Sequence, residues 1–205
     1  MKKEQKKGLA RLYRYVLVSD DGAAPCVDNN LLTLATCKPA IRRTAHVGDW
    51  VAGYMPKAQG GDLLVWIGQI AQKLNHIDYE QRFRGRRDAA YRLNGKGEAE
   101  RVYPKYHTVA QDMKKDLSAD ALIFDPKATW YFGSEPKQPP ANLEGLKPAG
   151  QGHRVNFRSE NDLQQLTHWL SSIGPAGFYA KPRLAGQDGC FTKCSPKKQK
   201  LRRGC

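Results

Sequence analysis

Hydrophobic positions follow the pattern of β-strands through most of the chain and the pattern of a helix near its end. Aromatic and β-branched runs between turn residues predict strands at residues 13–18, 50–54, 63–70 and 121–124. The run at 63–70 has almost no polar position, so we expect both faces of this strand to be covered, in the middle of a sheet. The glycine-rich segment 56–61 before it predicts a hairpin loop.

Helices are predicted at four places. Pro39 fits the first position of a short helix that continues through residues 41–45, because its missing N–H costs nothing there. Residues 77–83 form a second short helix. The last helix follows Ser159, carries an apolar stripe at Leu163, Leu166, Leu170 and Ile173, and ends at Gly174. Residues 92–120 are polar and irregular, which indicates a surface insert with a helix near 108–117.

These elements predict an α+β protein. A chain of 205 residues is long enough for one domain with a substantial core and too short for two full domains. We divide it into a basic N-terminal extension (residues 1–10), a single domain (11–183) and a basic disordered tail (184–205), whose composition shows no apolar periodicity.

Charge points to a polyanionic partner. The formal net charge is +14, and six cations without an acid lie between Lys193 and Arg203. Binding to nucleic acid would then be sensitive to salt. Arg82, Arg84, Arg86 and Arg87 beside Phe83 also suit a nucleic-acid backbone with a stacked base, although such a run also fits a solvated face. No apolar run of membrane-spanning length follows the charged start, so we expect a cytoplasmic protein and no membrane partner.

Several kinds of chemistry lack their motifs. The sequence has no phosphate-cradling Gly-x-x-x-x-Gly-Lys, no dinucleotide fingerprint after the first strand and no His-Glu-x-x-His. We therefore predict no cofactor. Five scattered cysteines do not form a disulfide framework, and Cys190, Cys194 and Cys205 lack the paired spacing and histidine partner of a zinc site, so no metal is predicted.

Residues 33–54 concentrate the candidate chemistry. Arg42 and Arg43 near the end of a short helix suit phosphate, or are simply solvated. Cys37 beside Lys38 suits a nucleophile with a lowered pKa, or is a buried inert cysteine. Asp21, which lies before that stretch, suits acid–base chemistry or a ligand hydrogen bond, or belongs to an ordinary Asp-Gly turn.

Further candidates lie outside that stretch. Trp130, Tyr131 and Phe132 alternate sides in an extended chain, so one face of this aromatic run lines a pocket or all three pack in the core. His153 follows Gly152, and glycine allows the backbone to approach a ligand closely.

The residues carry a family resemblance. The segments that carry it are Tyr15-Val16-Leu17-Val18, Asp21-Gly22, Thr33-Leu34-Ala35-Thr36-Cys37-Lys38-Pro39, Ile41-Arg42-Arg43-Thr44-Ala45, Gly48-Asp49-Trp50, Tyr131-Phe132-Gly133 and Gly152-His153. Over residues 11–155 the chain resembles the nucleotide modification associated domain family, second type. It is also similar, more weakly, to the PUA-like group that includes ASCH, EVE and YTH domains.

The resemblance implies a PUA-like curved mixed β-barrel with flanking helices. It implies association with systems that modify nucleobases in DNA or respond to modified ones, including phage defence. Three functions stay open. The first is recognition of a nucleobase or nucleotide, in which Trp50 or Trp130 stacks, Arg42 and Arg43 hold phosphate, and Asp21 and His153 contact the base edge. The second is a nucleotide-modifying enzyme that uses Cys37, Lys38 and Asp21. The third is a basic adaptor for protein partners of a DNA-modification or defence system.

Overall fold

The computed structural model describes residues 10–103, 109–148, 152–155, 157 and 160–185. The predicted terminal extension up to residue 9, and the tail from residue 186 with its cations and cysteines, lie outside the described residues. The described strands are β1 (Leu12–Val16), β2 (Cys26–Asp28), β3 (Leu31–Leu34), β4 (Trp50–Tyr54), β5 (Leu64–Leu74), β6 (Tyr91–Leu93), β7 (Ala99–Arg101), β8 (Ala121–Tyr131), β9 (His153–Val155) and β10 (Gly177–Phe178). The helices are α1 (Pro39–Thr44), α2 (His76–Arg82), α3 (Ala110–Leu117) and α4 (Glu160–Ile173), with 3₁₀ turns at Lys57–Gln59 and Ala141–Leu146.

Eight strands form one mixed sheet in the order β2-β3-β8-β5-β4-β1-β9, and β10 pairs with β8. The predicted α+β class is confirmed, and β5 lies in the middle of the sheet as expected. The predicted closed barrel is wrong for the described strands. The outermost strands, β2 and β9, pair with β3 and β1 and not with each other, so the sheet stays open.

Strands β5 and β8 are longer than the sequence pattern predicts. Strand β8 continues through Asp125-Pro126 with an irregularity: the β5–β8 pairing shifts register on either side of Ile70. The Asp125 carboxylate accepts a hydrogen bond from Lys127 N at 2.9 Å, and its carbonyl accepts one from Thr129 Oγ1 at 2.7 Å. These bonds replace the ladder locally, as in a bulge.

Each face of the sheet carries its own core. Tyr15, Gly53, Trp66 and Tyr131 lie side by side on β1, β4, β5 and β8 and face one core. A Cβ at Gly53 would overlap the indole Nε1 of Trp66, so this row needs glycine there. The opposite core contains Trp50 and Trp130 and packs against α4.

The region predicted as an irregular insert has regular structure. Strands β6 and β7 form a separate two-stranded sheet, and α3 follows it near the predicted position. None of the helices in the described part of the chain is long and apolar enough to cross a membrane.

Candidate functional site

A cavity of about 650 Å³ opens at one edge of the sheet, where β1, the start of α1 and the loop between β4 and β5 meet the segment before β9. Its walls are mainly apolar, with cations at the rim. The lining residues are Tyr15, Val16, Val18, Lys38, Pro39, Ala40, Ile41, Met55, Pro56, Lys57, Asp62, Pro148, Gly152 and His153.

Lys38 lies on one wall, directly before α1. Its backbone is left-handed, with φ of 43°, and Cys37 before it is also left-handed, with φ of 58°. Two consecutive non-glycine residues in this region are unusual and are found mainly where surrounding contacts enforce them. The conformation places the Lys38 amine 4.6 Å from the centroid of the Tyr15 ring, a cation–π arrangement.

Buried side chains behind the wall hold this loop in place. Cys37 N donates to Asp116 Oδ1 at 2.8 Å, and the Arg42 Nε donates to the Cys37 carbonyl at 2.7 Å. The Arg42 guanidinium also donates to the carbonyl oxygens of Asp116 and Ala119 and lies 3.7 Å from the Asp116 carboxylate. Arg42 is fully buried. These contacts fix both left-handed residues from one side.

His76 and Tyr91 complete the buried cluster. His76 Nε2 lies 2.7 Å from the Asp116 carbonyl and 3.1 Å from the Ala119 carbonyl. Carbonyl oxygens only accept, so the tautomer with hydrogen on Nε2 suits these two contacts; the same nitrogen also lies 3.2 Å from Arg42 Nη1. Burial lowers the pKa of His76, and the nearby Arg42 charge lowers it further. Tyr91 donates to Asp116 Oδ2 at 2.8 Å, and burial raises the pKa of its phenol.

His153 and Asp62 bring polar groups to the other walls. His153 pairs with Tyr15 across β9 and β1, and its ring stacks on Tyr13 with centroids 6.1 Å apart. Asp62 follows two glycines in the β4–β5 loop and has φ of 51°. Lys57 begins the 3₁₀ turn of the same loop. The cavity rim thus carries two lysines, a histidine and a carboxylate.

Tyr15 forms the floor between these walls. The side chain is fully buried, and its hydroxyl makes no hydrogen bond of good geometry within the described part of the chain. The indole of Trp66 lies against it, with ring centroids 6.2 Å apart. Burial raises the pKa of the Tyr15 phenol, and the Trp66 N–H opposes that rise. The floor is therefore a neutral aromatic surface.

The structure brings two of the predicted site residues, Lys38 and His153, to the same cavity. Arg43 is exposed on α1 and does not line it. The predicted phosphate role of Arg42 is replaced by a structural one, because its buried guanidinium is committed to the loop carbonyls. Cys37 is half-buried beside the wall.

The remaining candidates lie elsewhere. Trp50 and Trp130 are 4% and 6% exposed and belong to the core on the opposite face of the sheet, so neither indole lines the cavity. Trp130 Nε1 donates to the Gly174 carbonyl at 3.0 Å. Asp21 is buried, and its Oδ1 accepts from Ala23 N at 2.9 Å, as in the turn alternative. Its other oxygen, Oδ2, has no hydrogen-bond partner among the described residues.

Three lining residues whose side chains can contact a ligand were missed in the sequence analysis: Tyr15, Lys57 and Asp62. Tyr15 belongs to a predicted strand and to a segment that carries the family resemblance, but its neighbours in sequence do not indicate that its ring meets Lys38. Lys57 lies in the predicted hairpin loop 56–61, and Asp62 directly follows that loop. The flanking Gly60-Gly61 pair is a signal of unusual backbone there, but only the folded loop brings both side chains to the cavity.

The described part of the chain contains no candidate metal site. No group of three or more His, Cys, Asp and Glu side chains among those residues could hold a metal ion. The cysteines weighed as ligands, Cys190, Cys194 and Cys205, lie outside it.

Comparison with known families gives one match. The sequence model of nucleotide modification associated domain 2 matches residues 9–91, which confirms the predicted resemblance over that range. The matched range includes the lining residues from Tyr15 to Asp62; Pro148, Gly152 and His153, and the Tyr131-Phe132-Gly133 segment, lie beyond it. No curated protein and no solved structure matches the chain.

Proposed function

We propose that the protein binds a nucleobase or nucleotide, carrying a modified base, in the cavity between β1, α1 and the β4–β5 loop. The observation that carries the proposal is the combination of apolar walls with Lys38, Lys57, Asp62 and His153 at the rim. The volume of this cavity, about 650 Å³, falls within the ~300–1,000 Å³ typical of small-molecule sites.

The base and the phosphate of a nucleotide each have matching chemical groups there. A base is a flat ring with a polar edge, and Met55, Pro56 and Pro148 offer apolar surface to its faces. Asp62 can accept a hydrogen bond from an exocyclic amine or a hydroxyl substituent, and His153 can donate to or accept from the same edge. Lys38 and Lys57 supply charge for a phosphate.

The family match supports the nucleotide assignment. Its description places the matched region in the context of nucleotide modification, and a reader of modified bases in a DNA-modification or phage-defence system fits that context.

The enzyme alternative rests on Lys38, whose amine reaches the cavity, with Cys37 and Asp21. Neither of the last two lines the cavity. Under this alternative a Cys37→Ser variant would lose turnover while binding survives. The adaptor alternative needs no cavity and predicts that cavity variants change nothing.

The deciding experiment is a calorimetric titration of the full chain with nucleoside monophosphates that carry natural and modified bases. We expect saturable binding, weakened at least tenfold by His153→Ala and by Asp62→Asn. Lys127→Ala, an exposed lysine of β8 that does not line the cavity, is the matched control. Absence of binding for every base, or equal weakening by Lys127→Ala, would refute the proposal.

A further inference from the structure

A second, smaller cavity lies beside the loop after α2. Its volume is about 440 Å³, and it is lined by Asp28, Asn29, Leu31, Phe83, Arg84, Gly85 and Arg86. The Phe83 ring is half-buried and has the guanidinium carbons of Arg82 and Arg86 at 5.3 and 6.0 Å from its centroid. An aromatic ring beside guanidinium groups is a surface on which a nucleobase stacks.

Contacts connect this second cavity to the C-terminal segment. Arg87, next to the lining residue Arg86, donates from Nη1 to the Asp21 carbonyl at 2.9 Å. Gly22 follows Asp21 in the chain. A Cβ atom added at Gly22 would lie 3.0 Å from Pro182 Cγ and 3.8 Å from Arg87 Nη1. Arg87 and Pro182 therefore lie on the same small patch of surface.

Arg183, which follows Pro182, connects this patch to the first cavity. Arg183 Nη1 donates to Gln59 Oε1 at 3.0 Å, and its Nη2 donates to the Leu17 carbonyl at 3.0 Å. Gln59 ends the 3₁₀ turn that Lys57 begins, and Leu17 lies between Val16 and Val18. Lys57, Val16 and Val18 all line the first cavity.

The exposed charge along this path is positive. Arg84 is 75% exposed, and Arg87 and Lys57 are also exposed. Among the nearby acids, Asp20 and Asp21 are buried, the Asp28 side chain is 44% exposed and lies 3.6 Å from Arg86, and the Glu80 carboxylate pairs with Arg84 at 3.0 Å. We call the surface formed by the exposed side chains of Lys57, Arg87 and Arg84 the basic track; the Arg183 side chain is only 13% exposed and lies 3.7 Å from Asp20.

We propose that the basic track holds the phosphate backbone of a single-stranded nucleic acid that runs between the two cavities. One base enters the first cavity, a base farther along the strand stacks on Phe83, and the phosphates between them lie along Lys57, Arg87 and Arg84. This inference rests on the proposed function for the first cavity. It adds that the physiological ligand is a polymer and not a free nucleotide.

Single strands suit this surface better than a duplex. Two bases of the same strand must leave their stacks to enter two cavities, and an unpaired strand loses less free energy when its bases separate. Backbone contacts with lysine and arginine position the strand without reading its sequence.

The test compares a nucleoside monophosphate with single-stranded oligonucleotides of increasing length, on the full chain. We expect affinity to rise with length up to a site size of roughly 4–16 nucleotides. The double variant Arg84→Gln with Arg87→Gln should weaken oligonucleotide binding about tenfold or more and lower the slope of log affinity against log salt by roughly 0.7 per lost contact. Mononucleotide affinity should not change.

The matched control is Lys96→Gln with Lys127→Gln, which removes two exposed cations that line neither cavity. Phe83→Leu keeps an apolar side chain but removes the aromatic face, and should weaken oligonucleotide binding about five- to a hundred-fold. Equal weakening by the control pair, no gain with length, equal affinity for the duplex, or equal competition by polyglutamate would overturn the basic track. Absence of mononucleotide binding, with oligonucleotide binding still dependent on Arg84 and Arg87, would refute the cavity assignment and leave the track standing.

Discussion

The amine of Lys38 lies 4.6 Å from the centre of the Tyr15 ring, and the backbone of Lys38 is left-handed. A left-handed conformation costs a non-glycine residue about 1–2 kcal/mol, and Cys37 adopts the same region. The buried ion pair of Arg42 and Asp116 and their hydrogen bonds to the Cys37 backbone offset this cost. The strain and the candidate ligand contact thus belong to the same residue, as is common at functional sites.

The variant Lys38→Gly removes the amine and keeps the backbone conformation of the loop. Glycine adopts a φ of 43° without steric penalty, so we expect the free energy of unfolding to change by less than about 1 kcal/mol. Mononucleotide affinity should fall about tenfold or more, since a hydrogen bond to a charged group contributes about 1.5–3 kcal/mol. Urea denaturation and calorimetric titration of the same variant measure both. Unchanged affinity would remove Lys38 from the site.

Arg42 and Arg43 are adjacent cations with opposite environments, so they form a natural matched pair. Arg42→Met leaves the Asp116 carboxylate buried beside the loop without its cation, and should cost about 3–5 kcal/mol of stability. Arg43→Ala, at an exposed position, should stay within about 0.5 kcal/mol. The measurement is urea denaturation at pH 7. Similar costs for both variants would contradict the structural role of Arg42.

A second variant tests whether Asp116 is the partner that matters. In the double variant Arg42→Met with Asp116→Asn no buried charge is left without a partner, so its cost should be smaller than the sum of the two single costs. Full additivity would show that the two groups do not interact.

The sequence predicted the central strand, the four helices and the α+β class because these depend on local periodicity and turn residues. The barrel depended on which strand edges pair, and pairing between β2 and β9 would join residues far apart in sequence with no local signal. The short strands β2, β6 and β9 have three residues each, too few for alternation to be recognised.

The candidate site was predictable only in part. Lys38 was singled out as the cation beside Cys37, and His153 as a histidine that follows a glycine; both are local signals. Arg42 was assigned to phosphate because charge normally indicates exposure; only the fold shows the carbonyl oxygens of Asp116 and Ala119, more than 70 residues away, that bury its guanidinium. Trp50 and Trp130 were ambiguous from sequence, since aromatic residues serve cores and ligand pockets alike.

The variant Trp130→Ala tests whether this indole packs in the core or contacts the ligand. Trp130 is 6% exposed and packs in the core beneath α4, so we expect the substitution to cost about 3–5 kcal/mol of stability. Nucleotide affinity, measured where the variant is still folded, should not change. Trp130→Phe should cost less, because it keeps most of the apolar volume. A stable Trp130→Ala protein that binds the nucleotide tenfold more weakly would show that this indole contacts the ligand.

The buried His76 should make stability depend on pH. Its pKa is lowered in the folded state by burial and by Arg42, so between that value and about 6.5 the unfolded chain binds more protons than the folded protein. Stability from this group is complete above pH 6.5 and is lost as the pH falls. Asp20 acts in the opposite direction, because burial raises its pKa and the folded protein then takes up a proton first.

The two contributions are separated by a difference measurement. We expect His76→Gln to remove the loss of stability on going from pH 7 to pH 5.5, since the glutamine amide can donate to the Asp116 and Ala119 carbonyls without titrating. Urea denaturation of both proteins across this range gives the difference directly, and the Asp20 contribution cancels because both proteins contain it. Parallel stability curves for the two proteins would mean that His76 keeps an ordinary pKa in the fold and that the buried cluster behind Lys38 tolerates its charge.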